Sequence, residues 1–264
     1  MKQRVLTSWV FVPIILLLVY WGGVPLYAGM ALLTLVGVQE FGSMLRNRRV
    51  QWNMYLNIIA ALIFLTLVSW RMDSILIWAI LVYIIILFSW GWRNFVHYPE
   101  IIFTILGVLY ISCGFGLITT IGIHYDSWHY LLLVILNVWI TDTGAFLIGS
   151  KIGKHKLAPR ISPKKTIEGL LGGTICAVII TGIFAAKFLN LEIGYALILV
   201  AIISLLGHVG DLLESVVKRW AGVKDSGKFF PGHGGVLDRF DSLLLAAPAA
   251  WVLYNIFEVL ERLV

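Results

Sequence analysis

Long apolar segments follow one another along this chain, and they restrict the folds open to it. Only 13% of the 264 residues are charged, whereas a soluble domain carries about 25%. A helix that crosses a bilayer needs about 20 largely apolar residues. Nine segments approach this length: Val5–Gly22, Val24–Leu45, Trp52–Trp70, Ser74–Gly91, Ile101–Ile123, Trp128–Gly149, Glu168–Phe188, Ile193–Leu213 and Leu237–Leu260. The sequence therefore predicts an all-α, polytopic integral membrane helical bundle of about nine transmembrane helices.

The distribution of Lys and Arg predicts how these helices are oriented. With the N-terminus in the cytoplasm and nine spans, 17 of the 20 Lys and Arg residues fall on the cytoplasmic side and 3 on the other. Cytoplasmic loops of membrane proteins carry such an excess. We therefore expect a multi-pass protein of the cell inner (cytoplasmic) membrane, with its N-terminus inside and its C-terminus outside. The bias alone could produce the net charge of +6, although it explains the two long basic loops less well. Nucleic-acid binding is not expected.

The first polar group lies late in the sixth predicted span. Asp142 follows Asn137 by five residues and precedes Gly144 inside an otherwise apolar helix, where an isolated carboxylate is costly. One interpretation is a polar contact in helix packing, with Gly144 and Gly149 allowing a close approach. The other is a cation or substrate contact that faces a cavity.

A basic loop, Lys151–Gly169, forms the second group and reads KIGKHKLAPRISPKKTIEG. Ser162 or Thr166 could cap the following helix, and Glu168 suits the positive end of that helix. Alternatively, the lysines and hydroxyls with free backbone N–H groups at the helix start form an anion site suited to phosphates.

The third and densest group runs from Ser215 to Asp241 and is entered through His208, Asp211 and Glu214. Asp211 and Glu214 share one helix face, and Lys218 falls four residues after Glu214. A salt bridge at a helix end would explain Lys218 but leaves Asp211 unexplained.

A glycine-rich loop, Gly232-His233-Gly234-Gly235, follows in the same group and lets the backbone approach a ligand closely. Asp238 and Asp241 come next at a spacing of three, which predicts a shared helix face. Oxygen ligands with basic neighbours suit Mg²⁺ shared with substrate phosphates. Zinc is disfavoured, because Cys and His do not cluster at ligand spacing. His233 is equally consistent with a base and with a residue that organises the loop.

At these residues the sequence resembles the phosphatidate cytidylyltransferase (CDP-diacylglycerol synthase) family. The resemblance rests on three stretches: SVVKRWAGVKDSGKFFPGHGGVLDRFD at Ser215–Asp241, HKLAPRISPKKTIEG at His155–Gly169, and DTGAF at Asp142–Phe146. It implies transfer of CMP from CTP to phosphatidic acid, giving CDP-diacylglycerol and pyrophosphate at the cytoplasmic face. It also implies Mg²⁺, with a second monovalent cation such as K⁺. We accordingly expect N-terminal transmembrane helices in residues 1–125 and a catalytic region in residues 126–264, with cytoplasmic loops at 150–168 and 214–237.

The resemblance also suggests a role for each polar residue. The expected metal ligands are Asp211 and Asp238, with Asp142 and Asp241 as further candidates. The residues expected to neutralise phosphates are Lys218, Arg219 and Arg239. The residues expected to hold the lipid phosphate or the triphosphate are Ser162, Lys164 and Lys165. Asp225 would orient Lys224 or Lys218, or reach the cytosine amine, and His233 is grouped with the substrate-binding residues.

Further expectations concern partners and rival functions. The bilayer is the surrounding partner, and a homodimer is an open alternative because related membrane enzymes often dimerise. A transporter could use the intramembrane Asp142 and Asp211 as an ion path, although the polar groups cluster on one side of the membrane. A second rival is an enzyme that uses CTP on a different lipid.

Overall fold

A computed structural model describes residues 2–125 and 127–263, apart from the side chains at 2–8, 261 and 263. Lys2 and Arg4, two of the predicted cytoplasmic charges, therefore have side chains outside this description. The described chain forms ten helices and one short hairpin: α1 Lys2–Trp21, α2 Gly23–Asn47, α3 Met54–Ser69, α4 Asp73–Arg93, α5 Tyr98–His124, α6 His129–Ile152, β1 Lys156–Ala158, β2 Ser162–Thr166, α7 Ile167–Phe188, α8 Ile193–Ala221, α9 Leu237–Phe240 and α10 Leu243–Leu263.

The predicted polytopic helical membrane fold is confirmed. Among the described residues, seven helices are long and apolar enough to cross a membrane: α2, α4, α5, α6, α7, α8 and α10. The two other predicted spans also form helices, but α3 has 16 residues. At 1.5 Å per residue it is about 24 Å long, shorter than the hydrocarbon core of about 30 Å. The count of nine crossings stays a prediction.

The ninth predicted span, Leu237–Leu260, is wrong at its start. The chain forms the four-residue helix α9, turns at Asp241 and Ser242, and begins α10 at Leu243. The Asp241 carboxylate accepts a hydrogen bond from the Ser242 N–H at 2.7 Å. Such a local side-chain bond competes with helical hydrogen bonding. Asp238 and Asp241 therefore do not share one helix face, as their spacing had suggested.

The chain folds into two compact units. Unit 1 contains Met1–His124 and Val217–Phe240, and unit 2 contains Tyr125–Val216 and Asp241–Val264. The boundary at Val216 falls inside α8, so the chain leaves unit 2 partway along that helix. The predicted division into regions 1–125 and 126–264 stays a prediction.

In unit 1, small residues let α2, α3 and α5 pack closely. A Cβ added at Gly107 of α5 would lie 2.1 Å from the Phe41 ring of α2. One added at Gly116 of α5 would lie 2.9 Å from the Val68 side chain of α3. Buried Tyr83 of α4 donates to Asn57 Oδ1 of α3 at 2.7 Å. These contacts join α3, α4 and α5, and the contact of Gly107 with Phe41 holds α2 against α5.

In unit 2, helices α6 and α7 pack backbone against backbone. A Cβ added at Gly173 of α7 would lie 2.5 Å from the Thr141 carbonyl oxygen, and one added at Gly144 of α6 would lie 3.1 Å from Gly173 Cα. A buried Asn137 side chain donates to Thr181 Oγ1 at 3.0 Å and to the Val200 carbonyl at 3.1 Å, joining α6 to α7 and α8. This packing sets the position of the hairpin that follows α6.

We predict that Gly173→Ala destabilises the protein, because its methyl group has no space at the α6–α7 contact. Overpacking of this kind costs about 1–3 kcal/mol. Thermal unfolding in detergent should show a lower Tm. The matched control is Gly207→Ala in α8, where an added Cβ would meet its nearest neighbours at 3.7 Å or beyond. Alanine is favoured over glycine in helices, so Gly207→Ala should leave the Tm unchanged or raised. Equal Tm values for wild type and Gly173→Ala would contradict the close contact.

Candidate active site

A pocket of about 520 Å³ lies within unit 2. Four of the predicted site residues line it: Asp142, Lys164, Lys165 and Asp211. Its walls come from the end of α6, the β1–β2 hairpin, the start of α7 and the later part of α8. Asp142 therefore faces a cavity, and the buried packing contact of α6 is made by Asn137 instead.

The hairpin that carries the lysines is anchored to the start of α7. Strands β1 and β2 pair antiparallel. Thr166 caps α7 by accepting the Gly169 N–H at 3.1 Å, as one alternative for this loop predicted. Glu168 accepts the backbone N–H groups of Lys154 and His155 at 3.1 and 3.2 Å, and it pairs with His155 Nδ1 at 2.6 Å. The loop is thus structurally fixed and contributes to the pocket as well.

Ser162 is the one predicted residue of this loop that does not line the pocket. It is the first residue of β2, half-buried, and its Cα pairs with that of Ala158. Lys164 is exposed and Lys165 is half-buried, two and three residues further along the strand. The substrate contact predicted for Ser162 remains a prediction.

Lys165 and Asp211 form an ion pair inside unit 2, with Nζ 2.6 Å from Oδ2. The other Asp211 oxygen lies 3.4 Å from Ser215 Oγ. Both charged side chains keep partial exposure, 21% and 26%, but the Lys165 Nζ atom itself is buried. The pair places one positive and one negative charge at the pocket wall.

His208 is a pocket residue to which the sequence pattern assigned no role. It lies one turn before Asp211 on α8 and is only 5% exposed. Its Nε2 atom is buried without a hydrogen-bond partner among the described residues, and the side chain lines the pocket. An imidazole nitrogen left in this state is available to a bound ligand. A lone histidine in an apolar helix was the only signal for it.

Unit 2 also concentrates negative charge around Asp241. Burial, followed by the charges of Asp211 and Glu214, raises the pKa of the Asp241 carboxyl well above its usual range, and Asp142 contributes as well. Carboxylates that repel one another in this way attract a cation. In the described part of the chain, no three Asp, Glu, His or Cys side chains are grouped closely enough to bind a metal ion by themselves. Mg²⁺ needs only one or two carboxylates alongside waters and substrate phosphates, so this oxygen-only set fits it.

Asp238 organises a loop of unit 1 with both of its carboxylate oxygens. Oδ1 lies 2.6 Å from Lys218 Nζ. Oδ2 accepts the Ser226 N–H at 2.7 Å, the Ser226 hydroxyl at 2.9 Å and the Gly235 N–H at 2.8 Å. Burial raises the pKa of Asp238, but Lys218 and these amides outweigh it and hold the pKa below its usual value. The metal-ligand role of Asp238 stays a prediction, because protein donors occupy both oxygens here.

The glycines of this loop allow its backbone to turn and to approach the Asp238 carboxylate closely. Gly232 and Gly234 adopt φ values of 77° and 87°, in the region that favours glycine. A Cβ at Gly234 would also lie 2.6 Å from Asp238 Oδ2. Nearby, the His233 N–H donates to the Phe230 carbonyl at 2.9 Å, and the His233 carbonyl accepts from Arg239 Nε at 2.9 Å.

The remaining predicted residues of the loop are exposed. The Arg219 guanidinium donates to the Val223 carbonyl at 3.0 Å, which closes the turn after α8. Lys224 and Asp225 follow this turn with exposed side chains. A guanidinium carries five N–H donors, so Arg219 and Arg239 could reach an anion in addition to these carbonyls. Unit 1 therefore holds Lys218, Arg219, Lys224, Asp225, His233, Asp238 and Arg239.

Glu40 of α2 is a polar residue of unit 1 that the sequence reasoning missed. It is 7% exposed, and its Oε1 accepts the Val236 N–H at 2.9 Å while Oε2 accepts the Leu237 N–H at 3.0 Å. It is the single charged residue in the predicted span Val24–Leu45. A lone ionisable residue in such a segment is itself a signal of function.

Comparison with known proteins supplies independent information on this arrangement. The model of the cytidylyltransferase family matches residues 2–257. A phosphatidate cytidylyltransferase of Staphylococcus haemolyticus is 38% identical over 255 residues, which cover 94% of this chain and 96% of the relative. One from Staphylococcus saprophyticus is 35% identical over 256 residues, with the same coverage of 94% and 96%. These matches extend through both units and all three polar groups, and the chain belongs to the cytidylyltransferase family.

Proposed function

We propose that this protein is a phosphatidate cytidylyltransferase, which transfers CMP from CTP to phosphatidic acid and releases pyrophosphate. The observation that carries the proposal is the likeness, over 94% of the chain, to curated relatives with that name. The pocket of unit 2 supports it, because its lysines and carboxylates suit a polyanion accompanied by a cation. The membrane helices support a lipid substrate whose acyl chains stay in the bilayer.

The reaction requires two anions to approach each other. A phosphate oxygen of phosphatidic acid attacks the α-phosphorus of CTP, and the bond from that phosphorus to the bridging oxygen breaks. Pyrophosphate leaves with the electron pair of that bond. The attacking phosphate is already ionised near neutral pH, so no strong base is required. Positioning and charge neutralisation supply most of the catalysis in such transfers.

Residues of unit 2 are proposed to hold the triphosphate and its cation. Lys164 and Lys165 neutralise phosphate oxygens at the pocket wall. Asp211 would hold Mg²⁺ with help from Asp142 or Asp241, and the bound ion would neutralise charge on the phosphates. A second, monovalent cation such as K⁺ belongs to the proposal through the family resemblance. Binding of the cation would also relieve the repulsion among the carboxylates around Asp241.

Residues of unit 1 are proposed to act on phosphate charge through the loop that Asp238 organises. Lys218 is held by Asp238 at 2.6 Å, which fixes its ammonium group. Arg219 and Arg239 are proposed to donate to phosphate oxygens through their several N–H groups. Asp225 and Lys224 are exposed and are proposed to contact the nucleotide. A homodimer remains part of the proposal.

Replacing Lys165 with Ala should lower kcat by about 100- to 1000-fold, the range for removing one charge-stabilising donor. The measurement is formation of CDP-diacylglycerol and pyrophosphate by purified protein in vesicles containing phosphatidic acid, with CTP and Mg²⁺. Lys165→Arg keeps the charge and should retain more activity than Lys165→Ala.

The matched control is Lys187→Ala, which removes an exposed lysine near the opposite end of α7. It should retain the wild-type rate. A Lys165→Ala variant with wild-type kcat and KM for CTP would remove Lys165 from the site. Ion flux without either product from the wild type would point instead to a transporter.

We also propose that the β1–β2 hairpin faces the cytoplasm, with the N-terminus inside and the C-terminus outside. Helix α7 is long enough to cross the membrane, and we propose that its two ends lie on opposite sides. In a Cys113→Ala, Cys176→Ala background, Asn190→Cys should react with a membrane-impermeant maleimide in intact spheroplasts. Lys156→Cys should react only after permeabilisation. The reverse labelling pattern would overturn this orientation.

A further inference from the structure

We propose that Glu40 is a positioning residue that holds residues 226–238, here called the Asp238 loop, and thereby places Lys218 for the transfer. The inference rests on the function proposed above. It assigns a role to a membrane helix of the N-terminal half, outside the polar sequence stretches that carry the family resemblance. Every contact it uses lies within unit 1.

The Glu40 carboxylate binds the Asp238 loop at three points. Oε1 accepts the Val236 N–H at 2.9 Å, Oε2 accepts the Leu237 N–H at 3.0 Å, and the Ser226 hydroxyl lies 3.0 Å from Oε2, within donating distance. The three donors come from residues 186 to 197 positions away in the chain. A single buried carboxylate on α2 therefore ties both ends of the loop to a membrane helix.

Two glycines of the loop are required by the approach of Glu40. A Cβ at Gly227 would lie 2.3 Å from Glu40 Oε1, and the atoms it would meet all belong to Glu40. A Cβ at Gly235 would lie 2.3 Å from Ser226 Oγ and 2.4 Å from both carboxylate oxygens of Glu40. Real Cβ atoms do not come this close to other heavy atoms, so an alanine at either position must displace the carboxylate.

A short chain of contacts leads from Glu40 to Lys218. The Ser226 hydroxyl lies 3.0 Å from Glu40 Oε2 and 2.9 Å from Asp238 Oδ2. Because a hydroxyl has one proton, it donates to one of these two carboxylates at a time. The Ser226 N–H donates to Asp238 Oδ2, and Asp238 Oδ1 holds the Lys218 ammonium at 2.6 Å. A displacement of Ser226 is therefore passed to Asp238 and from there to Lys218.

A carboxylate suits this position better than any other side chain. Three donors converge on it, and a carboxylate offers two oxygens that only accept. Glutamine would turn an NH₂ group toward at least one of the same donors. An ionisable residue in a membrane helix is costly. These bonds to the Asp238 loop offset that cost and explain why α2 carries Glu40.

The first test is Glu40→Gln, assayed for CMP transfer together with its Tm. We expect kcat to fall by about 10- to 100-fold, as for a catalytic group displaced by about 1 Å, while KM for CTP changes by less than about 3-fold. The matched control is Glu192→Gln, because Glu192 is also a carboxylate that accepts backbone N–H groups, from Gly194 at 3.0 Å and Tyr195 at 3.3 Å. It should retain the wild-type kcat.

The second test asks whether Glu40 acts through Lys218. In a Lys218→Ala background, Glu40→Gln should lower kcat by less than about 2-fold, because residues that act through one contact chain are not additive. A loss equal to that seen in the wild-type background would mean that Glu40 acts only on general stability, and would overturn the proposal.

The third test remains informative if Glu40→Gln does not fold. Gly227→Ala alone should lower kcat, since its methyl group displaces the carboxylate. In a Glu40→Ala background, the same substitution should add less than about a 2-fold loss. Independent losses would overturn the role of the Glu40–Gly227 contact. An active wild type with full activity in Glu40→Gln would refute this inference alone, whereas a wild type that forms no CDP-diacylglycerol would refute the proposed function.

Discussion

The need to compensate buried carboxylates governs the polar part of this protein. A carboxylate removed from water is stable only when donors or cations replace the lost solvation. Glu40 and Asp238 meet this need with backbone N–H groups, the Ser226 hydroxyl and Lys218. Asp211 meets it with Lys165. The surroundings of Asp241 differ, because burial and neighbouring carboxylates raise its pKa. The Asp241 carboxyl therefore favours its neutral form, and the cation that we propose for unit 2 would favour its ionised form instead.

The apolar helices position these polar groups by close packing. In unit 2, the glycines of α6 and α7 bring the two backbones together. This contact fixes the positions of the end of α6 and the start of α7. The hairpin between them is then held by the Thr166 cap and by Glu168. In unit 1, α2 presents Glu40 to a loop rich in glycine. The positions of the polar side chains in both units are thus set by the packing of helices that carry almost no charge.

Local patterns predicted the helices and several of the residues that line the pocket. Apolar runs gave the positions of nine helices, and the Thr166 cap followed from a hydroxyl before an apolar segment. Asp142, Lys164, Lys165 and Asp211 were predicted for the site from their charge in an apolar chain, and they do line one pocket. The β1–β2 hairpin was not predicted, because two prolines and several lysines are also typical of an irregular loop.

The contacts that sequence reasoning missed join residues far apart in the chain. Glu40 binds backbone groups almost 200 positions away, and a backbone N–H leaves no mark in the sequence. The break between α9 and α10 was missed for a related reason: apolar residues continue on both sides of it, and the local hydrogen bond from the Ser242 N–H to the Asp241 side chain does not show in a hydropathy pattern. The polar stretches of the sequence were enough to indicate the family. The different partners of each carboxylate are visible only from the hydrogen bonds in the structure.

The most direct test of the account follows the phosphorus atoms of CTP. Purified protein in vesicles of phosphatidic acid is given Mg²⁺ and CTP labelled at either the α- or the γ-phosphorus. The proposed reaction predicts that α-label enters the lipid as CDP-diacylglycerol and that γ-label appears in pyrophosphate. Label from the γ-position in the lipid, or release of pyrophosphate without α-label in the lipid, would contradict cytidylyl transfer to phosphatidic acid.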